Sequence, residues 1–307
     1  MSAAGTKAER PDATSGGPAP GGASGGLAGG GDGLATQLRG MSYEEGAAAL
    51  APQPEGATAG RAGEKAAVPT EKPAGTLWAT DAEGKTLPPS LADIRQGGLN
   101  DCYLFAAMAA IVNADASRIV NAIQDHGNGT YTVTFKGIGL FKSATQTVSA
   151  DFEVGRHGSV TSTKALWPLI IEKAYAQEKG GTEVIGGPNG GNPGTAVDDL
   201  TNDGASRFDP HDKTADWILA KLKKAKDGKA PVTVLAPKGE GASEKKVALT
   251  GRVTGLIFWH AYAIVDVDVE GKRLKLFNPH GRNHPNGTGW LDIEDFRGFF
   301  IEVNIND

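Results

Sequence analysis

Gln96-Gly-Gly-Leu-Asn-Asp-Cys102-Tyr-Leu-Phe-Ala-Ala-Met-Ala-Ala-Ile-Val-Asn113 is the stretch from which the rest of the chain can be read. Residues 101–113 are largely apolar and predict a buried helix, bounded upstream by Gly97-Gly98. Cys102 falls in its first turn and is the only cysteine of the chain. No internal disulfide can form, and zinc sites built from several cysteines are excluded. A lone cysteine is usually a small buried hydrophobe. At a helix N-terminus, however, unpaired N–H groups and the macrodipole favour a thiolate, which makes Cys102 a candidate nucleophile. The glycines let the backbone pass close to whatever occupies the site. Gln96 is placed to turn its amide N–H toward the sulfur's target, joining the Cys102 N–H in an oxyanion hole.

Such a nucleophile needs a base from elsewhere in the chain. Of six histidines, His126, His157 and His211 sit in polar turns and read as solvated loop residues. His260 follows Leu-Ile-Phe-Trp and opens the strand Ala-Tyr-Ala-Ile-Val-Asp266. Asn278, in Phe-Asn-Pro-His-Gly281, ends the next strand of an expected hairpin, where it can fix the orientation of the His260 ring.

Around this core the chain divides. Of 307 residues, 44 are Gly and 17 Pro, and residues 1–76 alone hold 17 Gly and 7 Pro against five Leu and Val, with no Ile or Phe. That composition cannot bury enough apolar surface to offset its ordering entropy, so 1–76 is expected to be a disordered tail. Within it, Ser42 and Glu45 have capping-box spacing ahead of an alanine run stopped by Pro52, which predicts a short helix near 43–50. The segment 38–52 is a candidate docking site for a partner or delivery machinery. Its Met-Ser-Tyr-Glu-Glu resembles a stretch in the N-terminal regions of some injected bacterial effectors.

Strands are expected at Tyr131–Lys136 and Gln146–Val154, and a helix at Thr163–Lys179 with the stripe Trp167, Ile170, Ile171, Ala174 and Tyr175. A Gly/Asn/Pro loop follows at 186–194, and a helix at 212–226. Strands then dominate: Pro231–Ala236, Leu256–Asp268, Arg273–Asn278 and Phe299–Val303. The order gives an α+β class, with a helix-led lobe over 77–209 carrying the cysteine and an antiparallel β lobe over 210–307 carrying the histidine and asparagine.

Taken in order, Gln-Gly-x-Leu-x-Asp-Cys-aromatic-Leu from Gln96, Leu-Trp-x-x-x-x-Glu-Lys-Ala-Tyr-Ala from Leu166, His-Ala-Tyr from His260 and Asn-Pro-x-Gly from Asn278 resemble the catalytic core of calpain-type cysteine proteases. The closing Asp-Phe-x-x-x-Phe from Asp295 resembles the end of that core, and the similarity runs from about Trp78 onward. The resemblance implies a papain-like two-lobe fold and a thiol endopeptidase working through an acyl-enzyme. Cys102 would be the nucleophile, His260 the base and acid, Asn278 the orienter, and Gln96 part of the oxyanion hole. Alternatives are a deamidase or acyl transferase of the same fold acting on protein side chains, or a catalytically idle binding domain. Departures from the family pattern are Asn100 for Gly, Tyr103 for Trp, and His280 for the Trp that shields the His–Asn contact; His280 is expected to shield it poorly.

The remaining signals exclude other functions. A net charge of −5 and an acidic pI argue against a nucleic-acid surface. No apolar run approaches a membrane span, and the polar start lacks a secretory signal. The expectation is a cytoplasmic protein where made, with export as an effector by a route without a cleaved signal peptide left open. Asp266-Val-Asp-Val-Glu-Gly271 begins like a calcium loop, but its twelfth position is Phe277 where a Glu is needed. His280 and His284 lack a third ligand, so no metal is assigned. No cofactor is required by these residues. The family's EF-hand module is expected to be absent, and calcium dependence is left open. The expected partner is a protein or peptide substrate.

Overall fold

The computed structural model describes residues 68–138, 143–238, 253, 255–282 and 284–307. The segment 38–52 and its expected helix lie outside them. Order starts earlier than residue 77. Strand β1 (Thr70–Glu71) pairs antiparallel with Phe152–Glu153, and Thr76 bridges to Ala165, so residues from 70 onward belong with the folded part.

The helical lobe starts with α1 (Cys102–Asp115), which is buried from Cys102 through Val112 on every side. That is why its sequence is apolar throughout and not striped. After α2 (Ser117–Ala122) come β2 (Ile123–Asp125), β3 (Thr130–Phe135) and β4 (Ala144–Ser149), an antiparallel sheet in the order β2-β3-β4. The single strand expected over 146–154 is divided: β5 (Phe152–Glu153) is separate. Between the two, the carbonyls of Ser149 and Asp151 turn to the Lys173 ammonium, 3.1 and 2.6 Å away. Helix α3 (Trp167–Lys179) begins later than expected, with Pro168 in its first turn and Gly180 closing it at φ 100°. The five residues of the expected stripe are all buried. Two helices, α4 (Thr182–Ile185) and α5 (Pro193–Thr201), flank the Gly-rich loop.

In the β lobe, β6 (Ala205–Phe208), α6 (Ala215–Asp227), β7 (Val232–Leu235), β8 (Ala261–Asp268), β9 (Arg273–Phe277), β10 (Trp290–Asp292), α7 (Ile293–Phe299) and β11 (Glu302–Asn306) follow. The six strands form one antiparallel sheet in the order β10-β9-β8-β7-β11-β6. Because β6 pairs with β11, the sheet takes in residues before the seam expected at Asp209-Pro210. Of the expected strand Phe299–Val303 only Glu302 and Val303 are strand; Phe299 ends helix α7. Asp292 caps α7 by accepting the Glu294 N–H at 2.8 Å, and Phe296, Phe299 and Phe300 fill the core before β11 begins.

Strand alternation in β8 joins the lobes. Ala261 and Ala263 face the core built on α1, whereas Tyr262 and Ile264 face the second core under α6 and α7. Two alanines let α1 lie close on the sheet, which brings its N-terminus to the start of β8. No described helix is long and apolar enough to cross a membrane.

Candidate active site

The loop leading to Cys102 is pinned from behind. Gly98 and Leu99 N–H groups donate to the Arg156 carbonyl at 2.9 and 3.1 Å. A Cβ on Gly97 would stand 1.9 Å from the His157 carbonyl oxygen, and one on Gly98 2.4 Å from that of Gly155. The two glycines therefore admit the chain's own 155–157 segment, not a ligand. The Gln96 N–H donates to the Pro279 carbonyl at 2.9 Å, tying this loop to the β lobe. The Gln96 side chain is buried; Nε2 donates to the Leu99 carbonyl at 2.8 Å, and Oε1 accepts no hydrogen bond. One amide hydrogen of Gln96 is thus used within the loop and the second remains.

His260 stands at the other side of the junction, immediately before β8. Trp259 before it has φ 52°, a left-handed backbone that a bulky residue rarely adopts. Its N–H donates to the Pro237 carbonyl, and the His260 carbonyl accepts from the Ala236 N–H, at 2.8 and 2.9 Å. The turn that presents His260 is therefore held from both sides by β7 and the residues after it. His260 Nε2 lies 3.0 Å from Asn278 Oδ1. The same oxygen accepts the backbone N–H of His280 at 3.1 Å, which identifies it as the carbonyl end of the amide. An acceptor there requires the hydrogen on His260 Nε2, leaving the Nδ1 lone pair available as a base.

The contact is sealed. His260 is 2% exposed and Asn278 0%. The His280 ring stacks over His260 at 4.7 Å and 32°, and Tyr262 meets it edge-on at 4.9 Å. The poor shielding expected of His280 is not what the structure shows, because the smaller ring covers His260 at a tilt. Burial pushes His260 down to about 3, with His280 adding to the effect and the Asn278 hydrogen bond opposing it.

Burial also governs the sulfur. It pushes the Cys102 thiol up to about 12; the Ala261 N–H opposes this, Asp101 adds to it, and the N–H groups of Tyr103 and Cys102 oppose it. The helix N-terminus alone favours a thiolate, but desolvation wins. Sγ faces the N–H of the residue that follows His260, and no hydrogen bond joins it to the His260 ring among the described residues. The structure therefore brings His260 and Asn278 together, sets Cys102 beside the backbone of β8, and turns Gln96 into its own loop.

A buried acidic group beside Cys102 was not singled out from sequence. Asp101 and Glu172 are both 0% exposed, and neither Asp101 oxygen nor Glu172 Oε1 meets a hydrogen-bond donor. Burial raises both carboxyls, Glu172 to about 8, and each perturbs the other, so a proton held between them satisfies the facing oxygens. Glu172 Oε2 accepts the Gly158 N–H at 2.8 Å and lies 3.3 Å from Nδ1 of His157. His157 is buried, not solvated as its polar surroundings in sequence suggested, and burial lowers it. The only sequence signal was Glu172 inside the Glu-Lys-Ala-Tyr motif, whose partner lies far upstream.

The site thus sets a cysteine at the head of a buried helix and a His–Asn pair on the facing sheet of one α+β fold. The chain belongs to the calpain family of cysteine proteases, whose family model matches residues 85–295. It is 28% identical over 218 residues to mouse Calpain-9, covering 65% of this chain and 30% of that protein. It is 28% identical over 256 residues to the calpain-type cysteine protease ADL1 of rice, covering 70% of this chain and 11% of that protein. It is also 26% identical over 223 residues to Calpain-B of Drosophila melanogaster, covering 65% and 22%. The chain thus spans less than a third of the length of these curated relatives. Regarding calcium, no three His, Cys, Asp or Glu side chains converge on a common point among the described residues.

Proposed function

We propose that this chain hydrolyses peptide bonds of protein substrates with Cys102 as nucleophile, His260 as base and acid, Asn278 as orienter and Gln96 as an oxyanion donor. The observation that carries this reading is the buried 3.0 Å contact between His260 Nε2 and Asn278 Oδ1, with its direction fixed by the His280 N–H. It leaves Nδ1 as the proton acceptor on an imidazole held neutral by burial. Cys102 and His260 rest as a neutral thiol and imidazole, not as a preformed ion pair. Substrate binding brings Sγ and Nδ1 within hydrogen-bond reach, a tightening common between free and bound enzymes. The thiol proton passes to His260 as sulfur attacks the carbonyl carbon. The Cys102 N–H and the second Gln96 amide hydrogen receive the oxyanion. His260 returns the proton to the leaving amine, and water hydrolyses the thioester, regenerating the thiol.

An N-terminomic comparison of a lysate treated with wild type or Cys102→Ala tests this. New N-termini found only with wild type support proteolysis. Mass gains of about one dalton on glutamine without new termini would instead indicate a deamidase. Transfer products would indicate an acyl transferase, and no modification with either protein a binding domain.

A further inference from the structure

A half-open cavity of about 450 Å³, a size suited to a ligand group, reaches the Asn278 backbone through its lining residue His284. Its helical-lobe wall includes Arg95, Thr161 and Ser162, and its β-lobe wall Phe277, Gly281 and His284. Gln96 follows Arg95 directly, and Phe277 and Gly281 bracket the Asn278–His280 segment. The Gly281 backbone is pressed against the helical lobe, where a Cβ would lie 2.8 Å from the Ile94 carbonyl oxygen. The cavity therefore flanks the side of the imidazole that carries Asn278 and His280. In peptide hydrolysis His260 hands its proton to the leaving amine from Nδ1, and the residues after the scissile bond cross the ring from that edge toward the edge covered by Asn278 and His280. Residues following the scissile bond then run toward this cavity.

The lining has one sign of charge. Arg95 is exposed and makes no ion pair with any described carboxylate. His284 Nδ1 accepts the Asn278 N–H at 3.1 Å, so its hydrogen sits on Nε2 as a donor. Ser162 adds a hydroxyl, Thr161 one that is shared with Thr163 at 2.8 Å, and among the described residues no Asp or Glu lines the cavity. Buried Asp93, two residues before Arg95, turns Oδ2 to Trp167 Nε1 and the Ser90 N–H, at 2.9 and 2.8 Å, while its Oδ1 accepts no hydrogen bond. Arg282, next to Gly281, adds to the positive character around His280. This cationic wall stands on a chain whose net charge is −5. A guanidinium with imidazole and hydroxyl donors and no competing acid is a receptor for a carboxylate.

We infer that this cavity is a leaving-side subsite that takes a carboxylate, so that the preferred substrates carry a negative charge within a few residues after the scissile bond. The inference rests on the proteolytic reading above. The carboxylate can come from an Asp or Glu side chain or from the C-terminus of a short peptide.

The test is a peptide library degenerate before the scissile bond, with Glu, Gln or Lys fixed in the three positions after it. Each peptide is made with a free and an amidated C-terminus. Wild type is expected to cleave amidated Glu peptides on the order of 5–10-fold more efficiently in kcat/KM than Gln peptides, mainly through KM. Arg95→Gln should bring that ratio close to one, and Arg95→Glu should shift preference to Lys peptides. A preference for free over amidated termini, with no effect of internal Glu but the same response to Arg95 variants, assigns the carboxylate to the chain end. Equal cleavage of all forms by wild type, or selectivity that both Arg95 variants retain, overturns the subsite and leaves proteolysis standing. Cleavage of no peptide, with Cys102 still labelled by a thiol-reactive probe, overturns the proteolytic reading and the subsite with it.

Discussion

The two lobes position their chemistry by opposite means. The helical lobe fixes Cys102 by burial: α1 is packed on all sides, and two glycines press its approach loop against the 155–157 segment. The β lobe fixes His260 by directed contacts: a strained Trp259, backbone bonds on both sides, an amide at one ring nitrogen and two aromatic faces. Burial is indifferent to charge state except that it opposes ionisation, so the first arrangement yields a neutral thiol. Hydrogen bonds are directional, so the second yields a defined tautomer. Cys102 is held by packing and His260 by directed bonds.

The largest effect is expected at Cys102. Cys102→Ala should abolish cleavage while moving Tm by only a few degrees, because one sulfur at the edge of the packed helix leaves a small cavity. Retained cleavage by a folded variant would remove the basis of the proposal. In wild type, the alkylation rate of Cys102 by iodoacetamide should climb through and beyond pH 9, reflecting a buried thiol. A rate already flat from pH 5 to 8 would show an ion pair and contradict the neutral resting state.

Next come the two members of the β-lobe pair. His260→Ala should lose on the order of 10³-fold or more in kcat/KM, the range of a positioned base. Asn278→Ala should lose about 10–100-fold, or roughly 1.4–2.7 kcal/mol, since it orients but accepts no proton. Equal losses in steady-state kinetics would mean that direction and basicity cannot be separated here. Asn278→Ala should also lower stability by about 1–3 kcal/mol in urea, because the His280 N–H and His260 Nε2–H lose their buried acceptor.

Gly97→Ala probes the helical lobe without touching its chemistry. A methyl 1.9 Å from a backbone oxygen forces the 155–157 segment away and should cost about 2–4 kcal/mol by denaturant unfolding. A change under 0.5 kcal/mol would show that the loop is not clamped.

The acidic pair makes that lobe pH-sensitive. Glu172 is raised from about 4.5 to about 8 in the folded state, so folding binds its proton. That contribution is fully present below pH 4.5 and is lost as pH rises through 8. Wild type should therefore lose several degrees of Tm more than Glu172→Gln between pH 5 and pH 9. Parallel curves would place the proton elsewhere. The smallest effect is expected from deleting residues 1–67, whose composition offers little apolar burial; Tm should stay within a few degrees.

How much of this was legible in sequence follows the same division. Helix α1, helix α3 and the β8–β9 hairpin were readable because an apolar run, a 3.6-residue stripe and strand alternation are local patterns. Helix α5 was hidden by the Gly/Asn/Pro run before it, although Asn192 caps it by accepting the Thr195 N–H at 3.1 Å. Helix α7 was masked by Phe299 and Phe300, which read as strand. Here too a cap, Asp292, was the overlooked signal. The His–Asn pairing was legible because hairpin register places two strand ends side by side. The shared proton of Asp101 and Glu172 was not, because it depends on desolvation produced by packing between distant segments. The neutral thiol escaped for the same reason: dipole arguments are local, whereas burial is a property of the whole fold.

One feature of the β sheet bears on when the protein becomes competent. Strand β11 lies between β7 and β6, so the partners on both its sides are made long before it during synthesis. Until residues 302–306 are available, β7 has an open edge and the second core lacks Val303 and Ile305. A nascent chain can therefore already contain Cys102, His260 and Asn278 while the sheet that aligns two of them is unfinished. The proposed chemistry therefore waits on the last strand of the sheet, which forms only when residues 302–306 pair with β7 and β6.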